Sequence, residues 1–490
     1  MDNKVKHIGR IVNGIVIGLL FTIHCSLFTS CTPTPKDVMM QDVLPPIYPD
    51  YCNVTIPQNI APLNFLLRSD CEAIEVKAGD ILIHARGNEA VFDIDDWKVL
   101  MEQSADKEVE VTITALISGQ WIEYKSFHWQ VVSDKIDPYL TYRLIEPDYE
   151  IWNNVQIQQR CVENFETNAL GHYEQLENRC MNCHTFASQD PNLSMMYVRG
   201  KGGGAILNRN GKLSKLDIPG SVYFGFSPSG RYITYSTQQI IPAFHSLASK
   251  RLEVFDAESN VFVADMEQHR IISSPLLSDS LKFETFPTFS PDGKYIYYCA
   301  ADSVSLPMEI KLLQYRLVRI PFNEDTGTIG TQVDTLLNCQ CSMVNVPSSV
   351  SHPRISPDGR YLLYTVADYG TFPIWHPEAD LQMMDLKTGA IDTLAIVNSQ
   401  KSDTYHSWSS NSRWFVFASK RDDGLYGKPY FCYVDKEGKA HKPFCLPQKH
   451  PTFYDNNLKS FNAPELGKGK VPFEVDDVAK AIKKEALIFK

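Results

Sequence analysis

Phe226-Ser227-Pro228-Ser229-Gly230-Arg231-Tyr232-Ile233 is the stretch on which the fold turns. It returns as Phe289-Ser290-Pro291-Asp292-Gly293-Lys294-Tyr295-Ile296 and as Ile355-Ser356-Pro357-Asp358-Gly359-Arg360-Tyr361-Leu362. A decayed copy stands at Trp408-Ser409-Ser410-Asn411-Ser412-Arg413-Trp414-Phe415. The serines at 227, 290, 356 and 409 are 63, 66 and 53 residues apart. Each copy reads as an apolar strand end, a tight turn, and a strand rich in aromatic and β-branched residues. Proline presets φ for the turn, and Asp-Gly or Ser-Gly supplies the conformations a hairpin needs. Second hairpins follow the later copies. One runs from Leu381 to Leu394 around Lys387-Thr388-Gly389, another from Tyr430 to Phe444 around Asp435 to Gly438. Two hairpins make a four-stranded sheet, and such sheets in series predict a propeller. The steps exceed the usual ~40–50 residues of a blade, so insertions are expected at 237–251, 300–315 and 366–380.

These copies resemble the Ser-Pro-Asp-Gly repeats of TolB-type β-propellers. The resemblance covers about 200–446 and is specific in the first three copies; the fourth lacks the proline and glycine. An earlier unit, Ala205 to Leu207 and Lys212 to Leu216 around Asn208-Arg209-Asn210-Gly211, brings the count to five blades. The resemblance implies six, with 446–490 or strands near 185–200 closing the ring. It also implies that the strand entering each turn lies toward the inside of its blade. Tyr223, Phe286, His352 and Tyr405 occupy one place on that strand. They either surround a mouth of the central channel or pack between blades.

Outward from the repeats, the 490 residues divide into a leader at 1–30, a Pro-rich tether at 31–50, a β domain at 51–147, a haem-binding segment at 148–200 and the propeller at 201–490. The β domain is read from short alternating runs at Ile81 to His84, Ala90 to Ile94, Val109 to Ile117 and Trp121 to Val132, which suit a small sandwich. Cys52 and Cys71 are candidates for a disulfide there. A helix is expected over 149–169, where Ile151, Val155, Val162 and Phe165 form a stripe, although Gln158 interrupts it and Ile157 points away. The expected fold class is therefore mainly β, with a sandwich-like N-terminal domain, a short helical haem segment and a propeller of five to six blades.

The haem reading rests on Cys180-Met181-Asn182-Cys183-His184, the attachment signature of c-type haem. Two thiols three positions apart reach two vinyl groups of one porphyrin edge, and the next residue presents its imidazole to the iron. A zinc site would need a second pair at metal spacing, which Cys339-Gln340-Cys341 does not supply. One motif implies one covalent haem c, with Cys180 and Cys183 as attachment points and His184 as axial ligand. Candidates for the sixth ligand are Met195, Met196, His245 and His172, with His376 and His406 as further histidines. Arg199 and Lys201 are candidates to pair with haem propionates.

The leader carries Lys4, Lys6 and Arg10 before an apolar run from Ile11 to Phe28, the layout of a secretory signal. Phe28-Thr29-Ser30-Cys31 resembles the lipobox of bacterial lipoproteins, which makes Cys31 the lipidation candidate and implies a periplasmic or outer-membrane-associated lipoprotein of a Gram-negative bacterium. A net charge of −11 argues against nucleic acid as a partner, since phosphate recognition needs a basic surface. Taken together, the sequence leads to the expectation of an electron-transfer or redox-sensing cytochrome at the cell envelope. It would be a carrier rather than a catalyst, with a redox protein and the membrane as partners. The alternatives are an envelope scaffold binding protein or glycan, and a haem-dependent oxidoreductase of peroxidase or nitrite-reductase type.

Overall fold

The repeated serine makes each turn tight by accepting the backbone N–H that restarts the chain. Tyr232, Tyr295, Tyr361 and Trp414 donate to Ser227, Ser290, Ser356 and Ser409 Oγ at 3.1, 3.0, 2.9 and 3.1 Å. Each serine in turn meets the side chain two residues on: Ser229, Asp292, Asp358 or Asn411. The decayed fourth copy keeps this arrangement because Asn411 replaces the aspartate as acceptor.

The computed structural model describes residues 33–147, 154–218, 220–244, 252–338 and 348–490. The leader and Cys31 lie outside the described residues. Within them, six sheets form a propeller. Their inner strands are Met181–Phe186, Ser221–Phe226, Lys282–Phe289, Ser349–Ile355, Asp403–Trp408 and Ser460–Gly467, numbered here as blades 1 to 6. Each inner strand contacts the next, and the sixth contacts the first, so the ring is closed.

Blades 2 to 5 carry the four repeats. Blade 1 continues through Leu193–Val198, Gly204–Arg209 and Lys212–Asp217, and the C-terminal Leu487–Ile488 adds a parallel edge. Blade 6 is built from both ends of the fold. Its inner strand Ser460–Gly467 pairs antiparallel with Tyr139–Ile145, which leads outward to Gln156–Cys161 and Thr167–His172. The helix expected over 149–169 is therefore corrected: from Gln156 onward this stretch is a strand hairpin, and 148–153 lie outside the described residues. The interruption at Gln158 and Ile157 is an alternation of period two, with Ile157 and Gln159 fully buried between half-buried Gln156 and Gln158. The helical haem segment is corrected likewise, because the Cys180–His184 stretch enters a blade strand.

The N-terminal part has a seven-stranded and a three-stranded sheet. The strand expected over Ala90–Ile94 ends at Ala90, and a helix spans Ile94–Gln103. Asp93 caps it by accepting the Asp95 and Asp96 N–H groups at 2.9 and 3.2 Å. The helix buries Trp97 against Trp129, ring centroids 5.3 Å apart, and each indole N–H finds a backbone carbonyl. Cys52 and Cys71 are free thiols. The same hydrophobic core runs on without a break into blade 5, through Phe415, Phe431 and Phe444.

Candidate functional site

All six inner strands carry the same irregularity. The pairing register slips at Cys183, Tyr223, Phe286, His352, Tyr405 and Ala463. Each of these residues has a left-handed backbone, with φ of 54, 52, 52, 53, 48 and 47°. None is glycine, so the ring of bulges holds strain that the closed sheet structure over-determines. The repeat that the four aromatic or imidazole residues revealed thus includes Cys183 of the haem motif.

At the bulges the side chains turn toward the axis. Tyr223, Phe286, His352 and Tyr405 pack against one another at tilted and edge-on angles, with centroids 4.4 Å apart for Tyr223–Phe286, 3.9 Å for Phe286–His352 and 4.8 Å for His352–Tyr405. Of this aromatic plug, Tyr223, His352 and Tyr405 line a central cavity of about 650 Å³. Two residues beyond each bulge, a second ring lines the same cavity: Thr185, Gly225, Thr288, Arg354, Ser407 and Glu465. A bulge followed by an ordinary pleat aims both sets inward.

Cys180, Cys183 and His184 all line this cavity. Cys183 Sγ accepts the Tyr223 N–H at 3.5 Å across the seam between blades 1 and 2. His184 is half-buried, but both its ring nitrogens are shielded from solvent and have no hydrogen-bond partner among the described residues. Burial, with Arg143 nearby, holds its imidazole down at about 4, so it is neutral. His352 also lacks partners at both nitrogens, whereas His406 Nε2 lies 3.0 Å from the Leu363 carbonyl.

Of the other sequence candidates, Arg199 lines the cavity and Lys201 does not. Met195 and Met196 lie off it, buried in the cores flanking blade 1. His172 is at the outer edge of blade 6, 3.8 Å from Glu174. His376 is buried between Glu378 at 2.8 Å and Glu253 at 3.5 Å. His245 lies outside the described residues.

Three charged residues that sequence reasoning missed complete the site. Arg143 comes from the second strand of blade 6, and its buried Nε has no partner. Arg354 donates one hydrogen bond, to the Pro353 carbonyl at 3.2 Å. Glu465 accepts the Phe186 N–H at 2.9 Å, and burial pushes its carboxyl up to about 7. Arg354 and Glu465 had a sequence signal: each stands one residue before the last apolar position of its inner strand.

No family model matches the chain, and no curated protein matches it. Solved structures resemble it in fold. One comes from a study of two prolyl endopeptidases, 12% identical with a TM-score of 0.36, covering 64% of this chain and 42% of that one. Another is a puromycin-hydrolysing peptidase of Mycobacterium tuberculosis, 10% identical, TM-score 0.35, covering 81% and 57%. A third is the β-propeller domain of the Trilobed protease from Pyrococcus furiosus, 7% identical, TM-score 0.29, covering 68% and 80%. The chain thus spans 42% to 57% of the first two.

These findings correct the expectation of an electron-transferring or redox-sensing cytochrome. Among the described residues no group of three or more His, Cys, Asp and Glu side chains is gathered to hold a metal ion. The motif stretch is part of a blade rather than of a helical cytochrome domain. The scaffold and oxidoreductase alternatives for the whole chain give way with it.

Proposed function

We propose that this protein is a ligand-holding propeller whose central cavity takes one covalently attached haem c. Cys180 and Cys183 would form the thioether bonds, and His184 would be the axial ligand. The observation that carries this is that all three side chains line one central cavity, with both His184 nitrogens buried and unpartnered. A buried imidazole without a hydrogen-bond partner is costly, and an iron ligated to one nitrogen would remove half of that cost. The plug residues Tyr223, His352 and Tyr405 give the cavity flat aromatic surfaces against which a porphyrin plane can pack. Iron coordination is the chemistry the group supplies; the chain's part is to bind, orient and shield it from water. The resemblance to TolB-type repeats supports the propeller class. The leader and Cys31 support export and attachment to a membrane surface, which belong to the same proposal.

The test is to express the full chain with its leader in a host that attaches haem c. The purified protein is expected to keep a Soret band after denaturation and to gain the mass of one haem. Cys183→Ala should lose one thioether bond, and the double change of Cys180 and Cys183 should lose attachment altogether. Recovery of the wild-type chain with all its thiols unmodified under these conditions overturns the proposal.

A further inference from the structure

The lining of the cavity is cationic although the chain is acidic. Arg143, Arg199, Arg354 and Lys468 line it, and Glu465 is the one carboxylate that does so among the described residues. Net charge is −11 over the whole sequence, so this is a local reversal of sign. Two of the cations are under-compensated. Among the described residues neither Arg143 nor Arg354 has a carboxylate within the 4.0 Å of an ion pair. Arg143 keeps a buried Nε with no acceptor. Arg354 uses its guanidinium on the neighbouring Pro353 carbonyl alone, and burial holds its pKa below the usual arginine range. Glu465, across the same ring of residues, is engaged by the Phe186 N–H and by Thr185.

Arg143 and Arg354 are half-buried, and a partly desolvated guanidinium favours an anion or several acceptors facing it. An acidic protein has carboxylates to spare, yet among the described residues Glu465, whose charge acts on Arg354, is the one carboxylate this cavity sets beside its arginines. We infer that the cavity is an anion-recognition site, built for an aromatic ligand whose carboxylate or equivalent anionic groups meet Arg354 and Arg143. This rests on the cavity assigned above to haem and names the ligand chemistry it selects. The aromatic plug supplies the apolar contact, and the two arginines supply discrimination, because planar guanidinium forks match carboxylate geometry. Charge-assisted hydrogen bonds in a partly desolvated cavity carry about a tenfold preference for the anion.

The experiment uses a matched pair of fluorescent probes on the full chain prepared without attached haem. These are 1-anilinonaphthalene-8-sulfonate and its uncharged parent, N-phenyl-1-naphthylamine. The sulfonate is expected to bind about tenfold more tightly. Arg354→Gln and Arg143→Gln should each weaken the sulfonate several-fold and leave the uncharged probe within about twofold. Arg354→Lys should restore part of the loss, which separates charge from a folding defect. Equal binding of the two probes, or sulfonate binding unchanged in both glutamine variants, overturns the inference. Haem attachment is read separately by mass and denatured absorbance. A chain that binds the sulfonate selectively but never acquires haem sinks only the earlier proposal, and a chain that acquires haem without probe selectivity sinks only this one.

Discussion

Glu284 stands 1% exposed on the inner strand of blade 3, and its Oε2 has no hydrogen-bond partner. Burial pushes its carboxyl up to about 7, outweighing the Asp279 backbone N–H and the nearby Lys282 and Arg316, which pull the other way. The folded-state pKa therefore lies above the unfolded value. A group shifted this way favours the folded state below its unfolded pKa, and that advantage is lost as pH rises through about 7. Glu284→Gln, which cannot ionise, is expected to melt close to wild type at pH 4.5 and clearly above it at pH 8. Thermal melts at the two values decide the matter: the same difference at both would remove ionisation as the cause. Sites of this kind escape sequence reading because Glu284 sits in an ordinary strand, Lys282 to Phe289, and only the neighbouring blades bury it.

Among the elements, the serine-centred turn is the unit that both sequence and structure single out. Ser356 is fully buried, accepts the Tyr361 N–H at 2.9 Å and donates to Asp358 at 2.6 Å. Removing the hydroxyl strands a buried backbone donor, so Ser356→Ala should cost about 1–3 kcal/mol in urea unfolding, with an unchanged m-value. A loss below about 0.5 kcal/mol would mean that water or another acceptor replaces the hydroxyl. The turn was legible because its chemistry is local: proline, aspartate and glycine act within five residues. The inner-strand bulge was half legible. Tyr223, Phe286, His352 and Tyr405 aligned in the sequence, but Cys183 and Ala463 did not, because the turns that follow them lack the Ser-Pro-Asp-Gly signature. Cys183-His184-Thr185-Phe186 nevertheless has the spacing of Tyr223-Phe224-Gly225-Phe226, which would have placed the haem motif in a blade. The stretch at 156–172 was misread because a helical template can absorb a short alternating segment whose hairpin turn is polar.

For the whole molecule, the decisive feature is a closure that no local pattern announces. Ser460–Gly467 is the inner strand of blade 6, yet its partner Tyr139–Ile145 precedes the first repeat by about eighty residues. That pairing puts Arg143 and Glu465 on one cavity, and no local pattern signals Arg143, which reaches the cavity only through it. It also makes the N-terminal part integral to the ring. Trp414 Nε1 donates to the Asp134 carbonyl at 2.7 Å, and Ser410 binds the Asp137 carboxylate through N–H and hydroxyl at 2.7 and 2.6 Å. A closed ring leaves only short, protected edges, whereas an opened one exposes an unpaired strand and the apolar faces beside it. A chain ending at Asn457 would lose the inner strand and with it the buried Phe461 and Leu466. The strand Tyr139–Ile145 would become an edge, and blades 1 and 5 would lose the neighbour between them. Trypsin is then expected to cut rapidly at Arg143, a bond protected in the full chain, and the single cooperative melt should broaden or vanish. A truncated chain that melts at the wild-type midpoint and resists cleavage at Arg143 would mean that the first five blades hold themselves together. The two ends of the chain would then be packing against the ring rather than completing it.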